Sequence, residues 1–213
     1  MEDTNRYAHV SPSRFDTIKE LIAPIESNTS IVEFGCGSGM TLLDIKTRFP
    51  KTDVIGFDLH PVTNPDVAVV KSDLNNFDFA EHSATLRGTD VFLLLDVLEH
   101  LIDPWLFLNR LISTASIGSR IIIVCPNFAS VRLLSAYCSG EMPSDEFGFF
   151  DKTHLRWLTA SSLLKGLDSR DLSVSSSFIK SSKPTFKFIQ GIWPSRLCSQ
   201  FILKLTVGTA SEY

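Results

Sequence analysis

Ile31-Val-Glu-Phe-Gly-Cys-Gly-Ser-Gly39 is the stretch whose reading decides the fold. Its first four residues suit a buried strand, three glycines follow at alternate positions, and Met40-Thr-Leu-Leu-Asp-Ile-Lys46 has the pattern of a helix. A glycine loop between strand and helix has no Cβ atoms to hold a ligand off the backbone, and the first N–H groups of the helix point at that ligand. Asp58 lies 19 residues beyond Gly39 and closes a second strand pattern, Asp53-Val-Ile-Gly-Phe-Asp58. A carboxylate in that place can accept both hydroxyls of a ribose, which implies a nucleoside-containing cofactor. The dinucleotide fingerprint departs here, because it needs a glycine where Met40 stands. A P-loop is excluded, since no Lys-Ser/Thr follows the glycines.

Outward from this stretch the chain alternates strands and helices. Ser11-Pro12 predicts a helix start, continued through Phe15, Ile18, Leu21 and Ile22. Pro50 ends the helix over 40–49, and the prolines of His60-Pro-Val-Thr-Asn-Pro65 predict a turn-rich loop. Val67 to Asp73 is a short third strand. Asp90-Val-Phe-Leu-Leu-Leu-Asp96 and Arg120-Ile-Ile-Ile-Val-Cys125 are continuous apolar runs, as in central parallel strands buried on both faces. Helical patterns occupy 104–115 and 129–138, and Thr159 caps a helix through Leu163, Leu164 and Leu167. Two further strands lie near 172–180 and 198–207. The order predicts a doubly wound α/β domain with a mostly parallel sheet. A ligand then sits at the carboxyl ends of the strands, where Glu33 to Gly39, Asp58, Asp73, Asp96 and Pro126-Asn127 converge. No repeat or linker divides the chain, so one domain is expected over 1–213, with its core over about 10–207.

Composition narrows the function. The 213 residues are 44 % hydrophobic and 21 % charged, with a net charge of −4, which argues against a nucleic-acid partner. Four cysteines at 36, 125, 138 and 198 make neither a Cys-x-x-Cys pair nor zinc spacing, and Cys36 and Cys125 read as reduced and packed. A polar N-terminus and the lack of an 18-residue apolar run argue against a signal peptide or membrane span, and the cytoplasm is the expected compartment. Residues 172–211 carry five basic residues and no acid. Around Phe178 to Pro194, cations alternate with large apolar groups, a mixture able to lie on an anionic membrane surface.

Glu33-Phe-Gly35-Cys-Gly37-Ser-Gly39 resembles motif I of the class I S-adenosylmethionine-dependent methyltransferases. Asp96-Val-Leu-Glu-His-Leu-Ile-Asp-Pro104 and Phe149-Phe-Asp-Lys-Thr-His-Leu-Arg-Trp-Leu-Thr159 resemble segments of a subset within that family. This subset includes ubiquinone-biosynthesis O-methyltransferases and a methionine-biosynthesis accessory group. The resemblance spans roughly residues 10–207. It implies a seven-stranded Rossmann-like sheet with the last strand antiparallel, and S-adenosylmethionine as cofactor. The implied cofactor residues are Glu33, Phe34, Gly35, Cys36, Gly37, Gly39, Asp58, Leu59, Asp73, Leu74, Asp96 and Val97.

For such a cofactor the methyl is already activated, and the protein must position an acceptor and take its proton. His154 is the leading base and His100 the second, because an imidazole near neutrality can accept a hydroxyl proton. Arg156 can fork onto an acidic group of the acceptor or pair with Asp151 or Asp145. Phe147, Phe149, Phe150 and Trp157 suit an apolar lid, with 139–158 and 178–195 as the substrate-side segments. The resemblance to some ubiquinone O-methyltransferases implies that Asp96, Glu99 and His100 can ligate a divalent ion. The acids serve more simply as helix-start caps, and no metal is expected. A hydrolase is disfavoured, as no Gly-x-Ser-x-Gly occurs. The expected function is methyl transfer to a small molecule, with oxygen as the target atom. The alternative is a non-catalytic accessory protein on the same scaffold. The sequence leaves the oligomeric state open.

Overall fold

A computed structural model describes residues 22–23, 25, 28–61, 65–168, 172–179 and 191–208. The expected helix from Ser11 to Leu21, positions 62–64 of the proline loop and positions 180–190 of the basic tail lie outside the described residues.

Seven strands form one sheet: β1 (Ser30–Phe34), β2 (Asp53–Asp58), β3 (Ala68–Lys71), β4 (Val91–Leu95), β5 (Arg120–Pro126), β6 (Leu172–Ile179) and β7 (Gln200–Val207). Their spatial order is β3-β2-β1-β4-β5-β7-β6. The pairs from β3 through β5 are parallel, and β7 runs antiparallel to both β5 and β6. Six strands therefore share one direction and the seventh reverses, as the family resemblance implies. The order turns back between β1 and β4, which puts the crevice for a ligand at the carboxyl ends of those strands.

Six helices lie wholly within the described residues: α1 (Met40–Arg48), α2 (Ser83–Arg87), α3 (Pro104–Thr114), α4 (Val131–Ser139), α5 (Ala160–Lys165) and α6 (Pro194–Leu197). Local signals set their ends. Asp103 accepts the Leu106 N–H at 2.9 Å and Pro104 opens α3, a cap followed by a residue whose missing N–H costs nothing there. Thr159 and Ser162 close a reciprocal capping box at α5. Helices α2 and α6, and 3₁₀ turns at Leu74–Asn76 and Leu98–His100, have no counterpart in the sequence reading, because three to five residues carry no readable period.

The sheet is buried on both faces. Val32, Phe34, Phe92 and Leu94 pack with Phe107, Leu108 and Leu111 of α3, while Ile31, Val91 and Leu93 pack on the other side with Leu42 and Ile45 of α1. Phe34 is the hub of an aromatic cluster, with Phe57, Phe77, Phe92 and Phe107 rings at 5.6, 5.3, 6.3 and 5.1 Å. Beneath the glycine loop the fit is tight. A Cβ at Gly56 of β2 would stand 2.3 Å from Cys36 Sγ, so the glycine in this strand makes room for the loop above it. Gly56→Ala is therefore expected to destabilise the protein by about 1–3 kcal/mol in urea unfolding, and Cys36→Ala in the same chain to recover part of that loss.

Candidate functional site

The glycine loop starts where β1 ends. Gly35 and Cys36 donate their N–H groups to the Phe57 carbonyl at 2.7 and 3.4 Å, which folds the loop over the end of β2. Gly35, Gly37 and Gly39 have φ of +68°, +55° and +71°, a region that costs other L-residues about 1–2 kcal/mol each. At Gly35 space is also lacking, since a Cβ would meet Val97 Cγ2 at 2.5 Å. Asp58 then pins the loop from the neighbouring strand. Its Oδ2 accepts the Gly37 N–H at 2.7 Å and its Oδ1 accepts the His60 N–H at 2.8 Å. A carboxylate offers about four acceptor positions, so both oxygens keep capacity for a ribose hydroxyl.

The other residues expected at the cofactor take varied positions. Glu33 is buried on β1 and Val97 lies against Gly35. Phe34 sends its ring into the core and Cys36 packs on Gly56, so the two present backbone rather than side chains to the crevice. Leu59 is exposed, whereas Leu74 packs against the core. Asp73 caps a 3₁₀ turn, accepting from Asn75 N–H at 2.9 Å and Asn76 Nδ2 at 2.7 Å. Asp96 has φ of +55°, a left-handed backbone state that Asp tolerates better than most non-glycine residues. Its Oδ1 accepts from Gln200 Nε2 at 2.8 Å, a bond that fixes the end of β4 against β7.

Two histidines from distant parts of the chain meet beside β4. The strap 151–157 is tied to the turn after β4 by the N–H groups of Leu155 and Arg156, which donate to the Glu99 carbonyl at 2.8 and 3.0 Å. This brings the His100 and His154 rings to 4.8 Å. His100 Nδ1 lies 3.2 Å from the Thr153 carbonyl and 3.1 Å from Thr153 Oγ1. Thr153 Oγ1 donates its hydrogen to Asp151 Oδ1 at 2.6 Å, so both partners of Nδ1 act as acceptors. The hydrogen-bond pattern thus assigns the proton to Nδ1 and leaves Nε2 as the basic nitrogen. His154 is held below the usual histidine range by burial and by the adjoining His100 charge. Its Nε2 is 3.9 Å from Glu99 Oε1, and Glu99 is fully buried.

The expected metal set changes with this geometry. Glu99, His100 and His154 each offer one ligand atom, all within 4.8 Å of one another. His154 takes the place the sequence reading gave to Asp96. Arg156 pairs with neither acid named for it, because its Nε and Nη2 both donate to the Ile102 carbonyl, at 2.9 Å for Nε. Of the expected lid, Trp157 stacks on Phe128 at 5.7 Å, while Phe149 is buried against Phe128 and Phe150 packs edge-on to Phe149. Phe147 is exposed. Thr153 escaped the sequence reading, although Asp151-Lys-Thr-His154 carries the spacing of an Asp-Thr turn that would have signalled it.

A doubly wound sheet with a reversed seventh strand, and a glycine loop at its switch point, defines the scaffold of the class I S-adenosylmethionine-dependent methyltransferases. The chain belongs to the methyltransferase domain family, whose model matches residues 6–177. No curated protein sequence matches it. Its fold resembles that of an S-adenosylmethionine-dependent methyltransferase from Archaeoglobus fulgidus, at TM-score 0.58 and 19 % identity over 95 % of this chain and 96 % of the other. A protein solved in complex with the Haloferax volcanii Trm112 methyltransferase activator is similar at TM-score 0.64 and 14 % identity, over 99 % and 96 % of the two chains. The plantazolicin methyltransferase BpumL, solved with a monoazolic desmethylPZN analogue and S-adenosylhomocysteine, is similar at TM-score 0.62 and 18 % identity, over 96 % and 85 % of the two chains.

The buried thiols of this site should be inert. Cys36 is pushed far above the ordinary thiol range by burial and then by Glu33 and Asp58, and Cys125 by burial and then by Glu99 and Asp96. Cys198 is buried and Cys138 exposed. An aromatic disulfide reagent at pH 8 is expected to titrate Cys138 rapidly and the other three only after unfolding.

Proposed function

We propose that the protein transfers a methyl group from S-adenosylmethionine to an oxygen of a small-molecule acceptor. The carrying observation is the bond from Gly37 N–H to Asp58 Oδ2, which holds a loop of bare backbone beside a carboxylate at the switch point. That arrangement fits a ligand with an amino-acid end and a ribose. When bound, the cofactor supplies a methyl on a sulfonium, already activated toward attack. The residues of this chain do the rest. The backbone of Gly35 to Gly39 supports the amino-acid end, and Asp58 receives the ribose hydroxyls. Glu33, Asp73, Asp96, Val97 and Leu74 bound the same crevice, and Leu59 covers its outer edge.

His100 Nε2 takes the acceptor's proton, with Nδ1 held in place through Thr153 and Asp151. His154 supports this by keeping a neutral ring beside it, since its burial disfavours a second positive charge. Calorimetry is expected to give micromolar binding of S-adenosylhomocysteine, weakened at least about tenfold by Asp58→Ala. A folded protein that binds neither cofactor nor product overturns the proposal.

The cluster of Glu99, His100 and His154 favours a second reading of the same chemistry. One carboxylate and two imidazoles suit a zinc- or manganese-like ion better than magnesium. Such an ion would be held by these three side chains and would polarise the acceptor oxygen. His100 would then be a ligand rather than the base. Titration with Mn²⁺ separates the two readings. Stoichiometric binding that is lost in His154→Ala supports the ion, and no binding leaves His100 as the base.

A further inference from the structure

A groove of about 690 Å³ opens between α4, α6 and the strap that carries Trp157. Such a volume accommodates a small organic molecule. Its walls are largely apolar and come from Phe128, Leu134, Met142, Trp157 and Trp193. Leu134, Trp157 and Trp193 are 60, 59 and 58 % exposed, large side chains left open to one shared space. Phe128 joins the groove to the site described above. Its ring lies flat against Trp157, with 6° between planes, and edge-on to His154 at 5.9 Å. One aromatic ring therefore separates the groove from the histidine pair.

Ser130 breaks the apolar pattern. It is 2 % exposed, lines the groove, and its Oγ has no hydrogen-bond partner among the described residues. It also occupies the N-cap of α4, where a serine oxygen ordinarily accepts an N–H from the first turn, yet it makes no side-chain cap bond. A buried hydroxyl that neither caps its helix nor meets another group is costly unless something else meets it. The start of a nine-residue helix favours an oxygen there, because its first N–H groups carry partial positive charge. Arg196 adds a cation to the rim, held by the Ala129 carbonyl at 3.2 Å and by the Trp193 ring at 6.0 Å.

We infer that the groove binds the body of the methyl acceptor, a flat ring-bearing molecule that presents one oxygen, of a carbonyl or a carboxylate, to Ser130 Oγ. That the ligand is the acceptor rests on the methyl-transfer reading, whereas the groove and its hydroxyl stand without it. Trp157, backed by the stacked Phe128, offers its exposed side to the rings, Ser130 fixes their direction, and the reacting hydroxyl extends past Phe128 toward His100.

Trp157 and Trp193 report on occupancy through their fluorescence. The full chain is titrated with naphthalene, with 2-acetylnaphthalene and with 2-naphthoate, and S-adenosylhomocysteine binding is measured on each variant as a separate control. The oxygenated probes are expected to bind about tenfold more tightly than naphthalene. Ser130→Ala is expected to remove that advantage without changing naphthalene binding, and Ser130→Thr, which retains a hydroxyl, to preserve most of it. Arg196→Ala distinguishes the two oxygen types, weakening the carboxylate alone if the ligand is an acid and neither oxygenated probe if it is a neutral carbonyl. An advantage that survives Ser130→Ala, or no quenching by any probe, overturns the inference. Lost product binding with intact probe binding instead faults the cofactor reading.

Discussion

One side-chain hydrogen bond, from Gly37 N–H to the carboxylate of Asp58, pins the glycine loop after β1 to the end of β2. Three left-handed glycines at alternate positions would otherwise give a loop with many alternatives, since glycine has the most backbone freedom to lose. Val97 presses on that loop from the end of β4, and Gly56 leaves room for Cys36 beneath it. The loop is thus held by two groups of β2 and by one at the end of β4. Its inner surface therefore stays backbone, which is what a ligand lying along it requires.

The second half of the site depends on a different tie. The strap 151–157 hangs from the Glu99 carbonyl and is braced by Arg156 on Ile102. Asp151 and Thr153 then orient His100 across 53 residues of sequence. Methyl transfer needs little covalent help from a protein, so most of the work falls on holding two reactants in line and keeping water out. In the proposed reading the aromatic stack of Phe128, Trp157 and Phe149 meets that second need beside His154.

How much of this was legible in the sequence follows the range of the interactions. The strand, the glycine turn, α1 and Asp58 lie within one βαβ unit, and their identity is written in local pattern. The central strands could be read from unbroken apolar runs because both faces of the sheet are covered. The short elements α2 and α6 could not, as neither is long enough to show a face. His154 was visible as a candidate base, but its pairing with Glu99 and His100 was not. That contact depends on backbone hydrogen bonds between the strap and the turn after β4, which no side-chain pattern announces. The Ile102 carbonyl that holds Arg156 was hidden for the same reason, and of the two expected roles only the pairing with Asp151 or Asp145 is absent. Ser130 falls inside the helical pattern over 129–138, and only the folded chain places it at the N-cap of α4 with a hydroxyl that makes no cap bond.

The most direct test of the account is a crystal structure grown with S-adenosylhomocysteine. The amino-acid end should lie along the backbone from Gly35 to Gly39, with both ribose hydroxyls on Asp58 and the sulfur facing the His100 and His154 pair. Product bound elsewhere, or an Asp58 that keeps its two backbone partners and meets no ribose, would contradict it.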